Sequence, residues 1–452
     1  MVKQKKKILI LGGGFAGIEC ARILESKFMR DYDIDITLVS EDNFFLFTPM
    51  LPQIASGTIE TRHIIISIRT LCTKIKFYEG EIRNIDPYGK IVNLMGTEEK
   101  RGITLHYDYL VLALGSETNF FGMKELEHYA YTLKTLNDAV VLRNRIIDML
   151  EQAENESDPI LRKSLLTFVI VGAGFAGIET AGELYDFLLD AEKHYPNTGK
   201  ENVRVVVLEA LPTILPGFNE KLANFALKKL TERGIEMKLN TKVSNFDGME
   251  VIIERLSDKI QNTKQQSELQ SIQTRTLIWT AGVTPVDIIR NSVFKAEKGR
   301  IVVNEFLEVP KFAGVFAIGD CCLTIDPVTK KPYPPTAQIA HEQAKIAARN
   351  LESLIKNKTK KPFEYRMKGQ MAIIGKRTGI ASIFGANIHG WLAWWLWRVI
   401  YLSKIPVFNK RLRIFMDWTA DAVFSRDIAR LKILKRETSK GYRELDEVDD
   451  VW

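Results

Sequence analysis

Gly12-Gly13-Gly14-Phe15-Ala16-Gly17-Ile18-Glu19 returns 160 residues later as Gly172-Ala173-Gly174-Phe175-Ala176-Gly177-Ile178-Glu179, with seven of the eight positions identical. Each copy follows an apolar run, residues 8–11 and 168–171, and each precedes a helical pattern. This predicts a strand, a tight turn and a helix with the G-x-G-x-x-G spacing that holds a pyrophosphate. In each turn the first Gly (Gly12, Gly172) makes the bend and the second (Gly14, Gly174) lets backbone approach the phosphates. The third (Gly17, Gly177) lets the helix pack on the strand, and the helix start presents free N–H groups to the anion. A single such turn arises by chance. Two, each in strand–helix context, imply two dinucleotide sites in one chain.

Working outward, residues 34–39 form a second strand that ends at Ser40-Glu41. An acid at this strand end accepts ribose hydroxyls, which makes Glu41 the candidate in the first unit. In the second unit residues 203–208 end in Glu209. An acid there favours NADH, because the 2′-phosphate of NADPH would meet like charge. The alternative for Glu209 is a helix cap or a solvated acid. The stretch Phe44-Phe45-Leu46-Phe47-Thr48-Pro49-Met50-Leu51 is too apolar for a routine loop. It is either core or the place where a cofactor ring rests. Three further apolar strands close in Gly turns, at Ala113-Leu114-Gly115, Thr280-Ala281-Gly282 and Ile318-Gly319-Asp320. The helices are expected to run to about Ser26 and about His194. A third covers residues 136–150, followed by a polar stretch over 151–157. The Gln/Ser-rich residues 257–274 read as an exposed hairpin.

A chain of 452 residues, 46% hydrophobic and 26% charged, is long enough for two or three folded domains. Cys20, Cys72, Cys321 and Cys322 include no C-x-x-C and no metal-like cluster, which disfavours a thiol-relay flavoenzyme or a zinc protein. The adjacent Cys321 and Cys322 are either structural or redox-active. The N-terminus enters the first strand with no apolar h-region, so secretion is not expected. Net charge is +7, and residues 398–436 hold ten Lys/Arg against three Asp, an excess of the same size.

These turns resemble the two-dinucleotide-binding flavoproteins over roughly residues 8–345. The resemblance implies an α/β chain with two Rossmann-like domains, FAD on the first and NAD(P)H on the second. It assigns FAD to Gly12, Gly14, Phe15, Ala16, Gly17, Glu41, Pro49, Ala113 and Gly115, with Gly319 and Asp320 contacting the ribityl and phosphate region. NADH falls to Gly172, Gly174, Gly177, Glu209 and Gly282. Within that group the chain is similar to type II NADH:quinone oxidoreductases. Phe45-Leu46-Phe47-Thr48-Pro49-Met50-Leu51 is similar to their flavin-side segment. Pro335-Thr336-Ala337-Gln338-Ile339-Ala340-His341-Glu342-Gln343 is similar to their A-Q-x-A-x-Q quinone-pocket helix. Here Glu342 stands where the second Gln is expected, with Gln343 one step later. The implied divisions are residues 1–125 and 291–350 for the FAD-binding domain, 126–165 for a linker helix and 166–290 for the NADH-binding domain. Residues 360–452 would form a C-terminal membrane-anchoring and dimerisation region.

Residues 390–402 hold four of the seven Trp. The run is too short and too interrupted to span a bilayer. Trp and Tyr favour the headgroup layer, and Lys404, Lys410, Arg411 and Arg413 would face anionic lipid. Ile414, Phe415, Trp418, Ala422 and Val423 recur at helical spacing, as in an interfacial amphipathic helix. The alternative is an aromatic dimer interface or a buried helix pair. The expectation is a peripheral protein on the cytoplasmic face of the cell membrane, a homodimer that binds no nucleic acid, with a membrane quinone as substrate.

The implied reaction is FAD-dependent NADH oxidation with two-electron quinone reduction and no proton pumping. Gln338 and Ala337 would meet the quinone, with Gln338 donating to a carbonyl. Glu179 and Glu183, four apart, share a helix face; the resemblance places one of them, Glu179 first, at the nicotinamide–flavin contact, where it would relay protons. Glu342 completes the candidate catalytic set, and His341 either serves protons or is packed. The competing functions are a sulfide:quinone reductase, which needs cysteines beside the flavin, a soluble flavin-dependent reductase, and an NADH sensor.

Overall fold

Residues 8–11 and 168–171 are apolar and buried on both faces, the pattern of central parallel strands covered by helices. In the computed structural model, which describes residues 5–96, 101–199, 202–256 and 269–431, they are the middle strands of two separate sheets. The first sheet runs Val315–Ala317, Tyr109–Leu112, Lys6–Leu11, Ile34–Ser40, Lys76–Asp86, Ile91–Gly96, Gly102–His106. Its first five strands are parallel and the last two turn back antiparallel. The second sheet runs Tyr131–Thr132, Thr276–Trp279, Thr167–Val171, Arg204–Leu208, Glu236–Lys238, parallel throughout. In each sheet, therefore, a glycine turn leaves the carboxyl end of a middle strand, where open α/β sheets take their ligands.

Strand Val315–Ala317 returns from the far side of the second sheet to the edge of the first, beside Tyr109–Leu112. Strand Ser116–Thr118 pairs with Val283–Pro285, so the chain crosses between the two units as a two-stranded antiparallel ribbon. Residues 126–165 are not one linker helix. They hold the end of helix Lys124–Tyr129, strand Tyr131–Thr132 of the second sheet, and helices Leu136–Asn155 and Pro159–Leu165. The polar residues 151–155 continue helix Leu136–Asn155, whose buried face runs on to Ala153. Of the expected hairpin, Leu269–Gln273 is a strand paired with Glu250–Arg255, and 257–268 lie outside the described residues.

The C-terminal part is a three-stranded antiparallel sheet, Gly369–Ile373, Gly379–Ile383 and Ala386–Gly390, followed by helices Trp391–Lys404 and Phe408–Val423. Among the described residues no helix is long and apolar enough to cross a membrane.

Candidate active site

Both turns are built alike. Gly12 has φ 110° and Gly172 φ 99°, a region that L side chains rarely adopt. A side chain at Gly12 would overlap the Ala113 carbonyl, and one at Gly172 would come within 3.0 Å of Ala281. The closing turns of the neighbouring strands are thus seated directly against the two bends. At Gly17 and Gly177 a Cβ would overlap the carbonyl of the first Gly in its own turn. The middle positions differ: nothing lies within 4 Å of where a Cβ would stand on Gly14 or Gly174. Each of these caps a helix, Phe15–Phe28 or Phe175–Ala191, that has no side-chain cap and no acid in its first turn. Helices Leu136–Asn155, Glu220–Arg233 and Ala337–Ile355 are capped by Thr135, Asn219 and Thr336, whereas the tail helices Trp391–Lys404 and Phe408–Val423 also lack a side-chain cap. It is therefore the position at the end of a central parallel strand that sets the two glycine turns apart. Two helix starts with free N–H groups and an open approach fit two pyrophosphates.

Glu209 is oriented by the second turn itself. Its carboxylate accepts from Ala173 N at 2.6 Å and from Leu211 N at 3.0 Å. It caps no helix, since the next one begins at Glu220 behind Asn219. In the first unit the residue touching the turn is Ser40, whose hydroxyl lies where a Gly13 side chain would project. Glu41 lies one step beyond and exposed; partial burial, then Glu81 and Asp42, raise its carboxyl above the usual range.

Asp320 accepts from Ser116 Oγ at 2.7 Å, and Lys134 Nζ donates to the same hydroxyl at 2.9 Å. Gly319 N donates to Gln343 Oε1 at 2.7 Å, and Gln343 Nε2 reaches Thr324 at 2.9 Å. Gln343 therefore fixes the Gly-Asp turn from inside the protein. Glu342, its neighbour on the helix, faces outward to Lys345 at 3.1 Å and Lys368 at 3.3 Å. Burial works to raise its carboxyl, but the two lysines hold it below the usual range. Gln338 is exposed in the first turn of the same helix, one position after Ala337. His341 Nε2 lies 3.6 Å from Glu19, joining helix Ala337–Ile355 to helix Phe15–Phe28, and burial lowers its proton affinity. The Pro49 segment reaches the first turn through Phe15, whose ring lies 5.0 Å from Phe45 and 5.7 Å from Phe47. Gly282 ends the closing turn under Phe121.

Glu179 and Glu183 are both buried but differently surrounded. Glu183 accepts from Ser56 Oγ at 2.9 Å and Thr58 Oγ1 at 3.0 Å and pairs with Arg426 at 3.3 Å. Glu179 accepts one backbone bond, from Ile373 N at 3.1 Å. Burial, only partly offset by that bond, pushes its carboxyl up to about 8. Stacked Trp397 and Tyr401, 4.2 Å apart, lie beside it, and Tyr401 in turn meets Phe47 at 6.2 Å. The sequence reading missed Ser56, Thr58, Tyr401 and Arg426. No local pattern announces them, because each reaches the acid pair from a different segment.

The tail needs correction in one respect. Ile414 and Trp418 do not face outward: they are buried, and Trp418 Nε1 donates to Gln53 at 2.9 Å. Arg398 stacks on Trp394 at 3.8 Å and Trp418 at 4.8 Å, and Lys410 and Arg411 donate to carbonyls. Lys404, Arg413, Phe415, Ala422 and Val423 are exposed. The outward apolar surface comprises Trp391, Trp395, Phe408, Leu412, Phe415, Met416 and Phe424, the last 71% exposed. Of the basic stretch, residues 432–436 lie outside the described ones.

All four cysteines are free and buried, and burial raises every thiol, that of Cys321 to about 11. Cys321 and Cys322 are thus poor sources of the thiolate that sulfur chemistry needs.

A family model described as pyridine nucleotide-disulphide oxidoreductase matches residues 6–344, and one described as NDH2 C-terminal domain matches 367–427. The chain is 32% identical over 437 residues to a probable NADH dehydrogenase of Dictyostelium discoideum, covering 95% of this chain and 92% of that protein. It is 29% identical to a type II NADH:quinone oxidoreductase of Mycobacterium tuberculosis, covering 94% and 89% of the two. In fold it superposes on the NDH2 of Plasmodium falciparum solved with NADH, with a TM-score of 0.86 at 23% identity over 94% of this chain and 100% of that one.

Proposed function

This chain belongs to the pyridine nucleotide-disulphide oxidoreductase family, and we propose from that premise how its residues divide the work of an NADH:quinone oxidoreductase. The enzyme oxidises NADH with FAD as cofactor, reduces a quinone by two electrons and pumps no protons. FAD, held by the first turn, Asp320 and the Pro49 segment, would supply the two-electron redox chemistry that no side chain provides. Balanced, NADH, a proton and quinone give NAD⁺ and quinol.

The observation that carries the residue assignment is the pair of uncapped helix starts with open middle glycines. The first turn, with Asp320 and the Pro49 segment, holds FAD. The second, with Glu209, holds NADH. Glu209 accepts the ribose hydroxyls and repels a 2′-phosphate, having no cation among its hydrogen-bond partners in the described residues. Gln338, exposed at a helix start beside the first turn, donates to a quinone carbonyl as charge builds on it. Glu179, protonated at neutral pH, holds a proton for the quinol.

We further propose that the outward aromatics of the tail rest on a lipid surface, on the cytoplasmic face of the cell membrane, and that the same region supports a homodimer. Large apolar side chains interleaved with cations along two consecutive helices support this reading.

The test is anaerobic stopped-flow mixing of the yellow holoprotein with NADH and then with a water-soluble quinone. Bleaching followed by recovery is expected. A protein that bleaches but is not reoxidised by quinone refutes the quinone assignment, and one that takes up no flavin refutes the whole.

A further inference from the structure

Helix Phe175–Ala191 carries Glu179, Glu183, Asp186 and Asp190, spaced so that all four share one face. Three of these acids have a cation of their own. Asp186 pairs with Arg233, Asp190 with Lys376 at 3.5 Å, and Glu183 with Arg426 at 3.3 Å. Among the described residues Glu179 has none.

Arg426 is the unusual member of the set. It follows the last tail helix, 243 residues from Glu183, yet its side chain is only 3% exposed. Its guanidinium is fully engaged. One nitrogen meets the Glu183 carboxylate, a second donates to the Glu183 carbonyl at 3.1 Å, and Nε donates to Asp421 at 2.8 Å. The segment carrying it is clamped to helix Leu136–Asn155. Arg143 donates to the Asp427 carbonyl at 2.6 Å, Asn144 exchanges two bonds with Leu431, and Arg430 meets Asp148 at 2.7 Å.

We propose that Arg426 is a positioning residue for proton delivery: it keeps Glu183 a carboxylate, braced by Ser56 and Thr58, and so leaves Glu179 the one acid of the pair that carries a proton. The two buried carboxyls, four residues apart, have unequal surroundings: Glu183 has a guanidinium and two hydroxyls, Glu179 a single backbone N–H. A fork-shaped cation placed on one of them biases the pair. The other charged groups facing the pair do not undo the bias. Asp186 pairs with Arg233, which only partly offsets the burial that raises its carboxyl to about 6, so the spectra are compared above that pH. Asp190 lies 3.5 Å from Lys376 and 3.7 Å from Arg426, Asp421 is held by Arg426, and Arg398 lies on the faces of Trp394 and Trp418. Glu179 is left facing Tyr401 and Trp397, neither charged. A cleft lined by Glu183, Asp186, Lys376, Asp421 and Arg426 lies beside the network.

This rests on the reading of Glu179 as the quinol's proton source, and the test separates the two. Infrared spectra of the holoprotein titrated with acid and base report protonated buried carboxyls without any turnover. One such band is expected in the wild type near neutral pH, absent in Glu179→Gln and present in Glu183→Gln. In Glu183→Gln its inflection should fall by about one pH unit, since a neighbouring anion is gone and Arg426 is freed. Arg426→Gln should show a second carboxyl band that disappears in the Arg426→Gln, Glu183→Gln double variant, while Arg426→Lys keeps the single band. With soluble quinone, reoxidation in Arg426→Gln should slow roughly tenfold, with NADH bleaching changed less than about twofold. A wild-type band that vanishes in Glu183→Gln overturns the proposal, and so does an Arg426→Gln protein without a second band. If Arg426→Gln fails to fold, the two single Glu variants still decide. Normal bands with no effect of Glu179→Gln on reoxidation would instead refute only the proton-source role.

Discussion

Gly174→Ala separates binding from folding more cleanly than any other change in the two turns. Gly174 has φ −72° and ψ −171°, ordinary extended backbone, and no atom lies within 4 Å of the new methyl. The structural cost is that of an Ala at an N-cap, about 0.5–1 kcal/mol, or about one degree or less in Tm for a chain of this size. Gly172→Ala and Gly177→Ala lack this virtue, because strain at φ 99° in the one and overlap with a carbonyl in the other disturb the fold itself. The methyl at residue 174 projects into the space through which the helix start meets the NADH pyrophosphate. Pushing the phosphates off one charge-assisted backbone N–H bond costs about 2–3 kcal/mol, which is roughly 30- to 150-fold in NADH affinity. The assay is the NADH-concentration dependence of flavin bleaching under anaerobic conditions, together with flavin content from absorbance. The expected variant is fully yellow, folds normally, and bleaches with a much raised half-saturating NADH concentration. Gly14→Ala should show the reverse, losing FAD on dilution. If Gly174→Ala instead sheds flavin, or binds NADH as the wild type does, the assignment of the two turns is wrong.

Glu209→Gln should lower the NADH over NADPH preference in kcat/KM about tenfold or more, because a neutral amide no longer repels the 2′-phosphate. Glu179 titrates at about 8 in the folded protein against an ordinary 4.5, so its protonated form is lost as pH rises through that value. Quinone-dependent reoxidation should fall above about pH 8 in the wild type and be slow and flat in Glu179→Gln. The same shift means that stability from this group is full below pH 4.5 and is lost as pH rises through about 8, so the Gln variant gains in Tm relative to wild type on going from acid to alkaline buffer. Replacing Phe408, Phe415 and Phe424 together by Ser should abolish co-sedimentation with anionic vesicles, measured by pelleting, while activity with soluble quinone persists; unchanged pelleting would sink the lipid-surface reading.

Much of this was legible because dinucleotide binding is a local affair. The turn, its three glycines and the acid at the next strand end lie within about 38 residues of sequence, so spacing alone places them. Glu209 could be named for that reason, whereas the role of the Asp320 turn came only from the resemblance. The proton-handling part was not legible, because it is assembled at long range. Ile373, Trp397, Tyr401 and Arg426 reach helix Phe175–Ala191 from nearly 200 residues or more away. Glu342 and Gln343 show a subtler limit. Sequence order cannot tell which of two neighbours on a helix faces inward, and here the inward one, Gln343, grips the Gly-Asp turn while Glu342 meets lysines.

Within the tail, Ile414 and Trp418 turned inward for a physical reason that also says how the tail works. A helix with apolar side chains on more than one face buries one of them against the protein and leaves the other for a further surface. In Trp391–Lys404 the inner face is Ala393 and Trp397, and in Phe408–Val423 it is Ile414 and Trp418. Of these, Trp397 lies beside Glu179, and Trp418, 6.3 Å from Trp397, is tied to Gln53, next to the Pro49 segment. Asp417 accepts from Glu60 N at 3.2 Å, adding a second tie to the same unit, while Arg426 ties the tail to the other. The tail therefore cannot be a removable anchor. Deleting it would uncover a buried carboxyl and strip Glu183 of its counter-ion, at a cost of the order of 3–5 kcal/mol for the broken ion pair alone. Outward-face substitutions are accordingly the informative way to probe the surface, because they leave the inner face, and with it the environment of Glu179, unchanged.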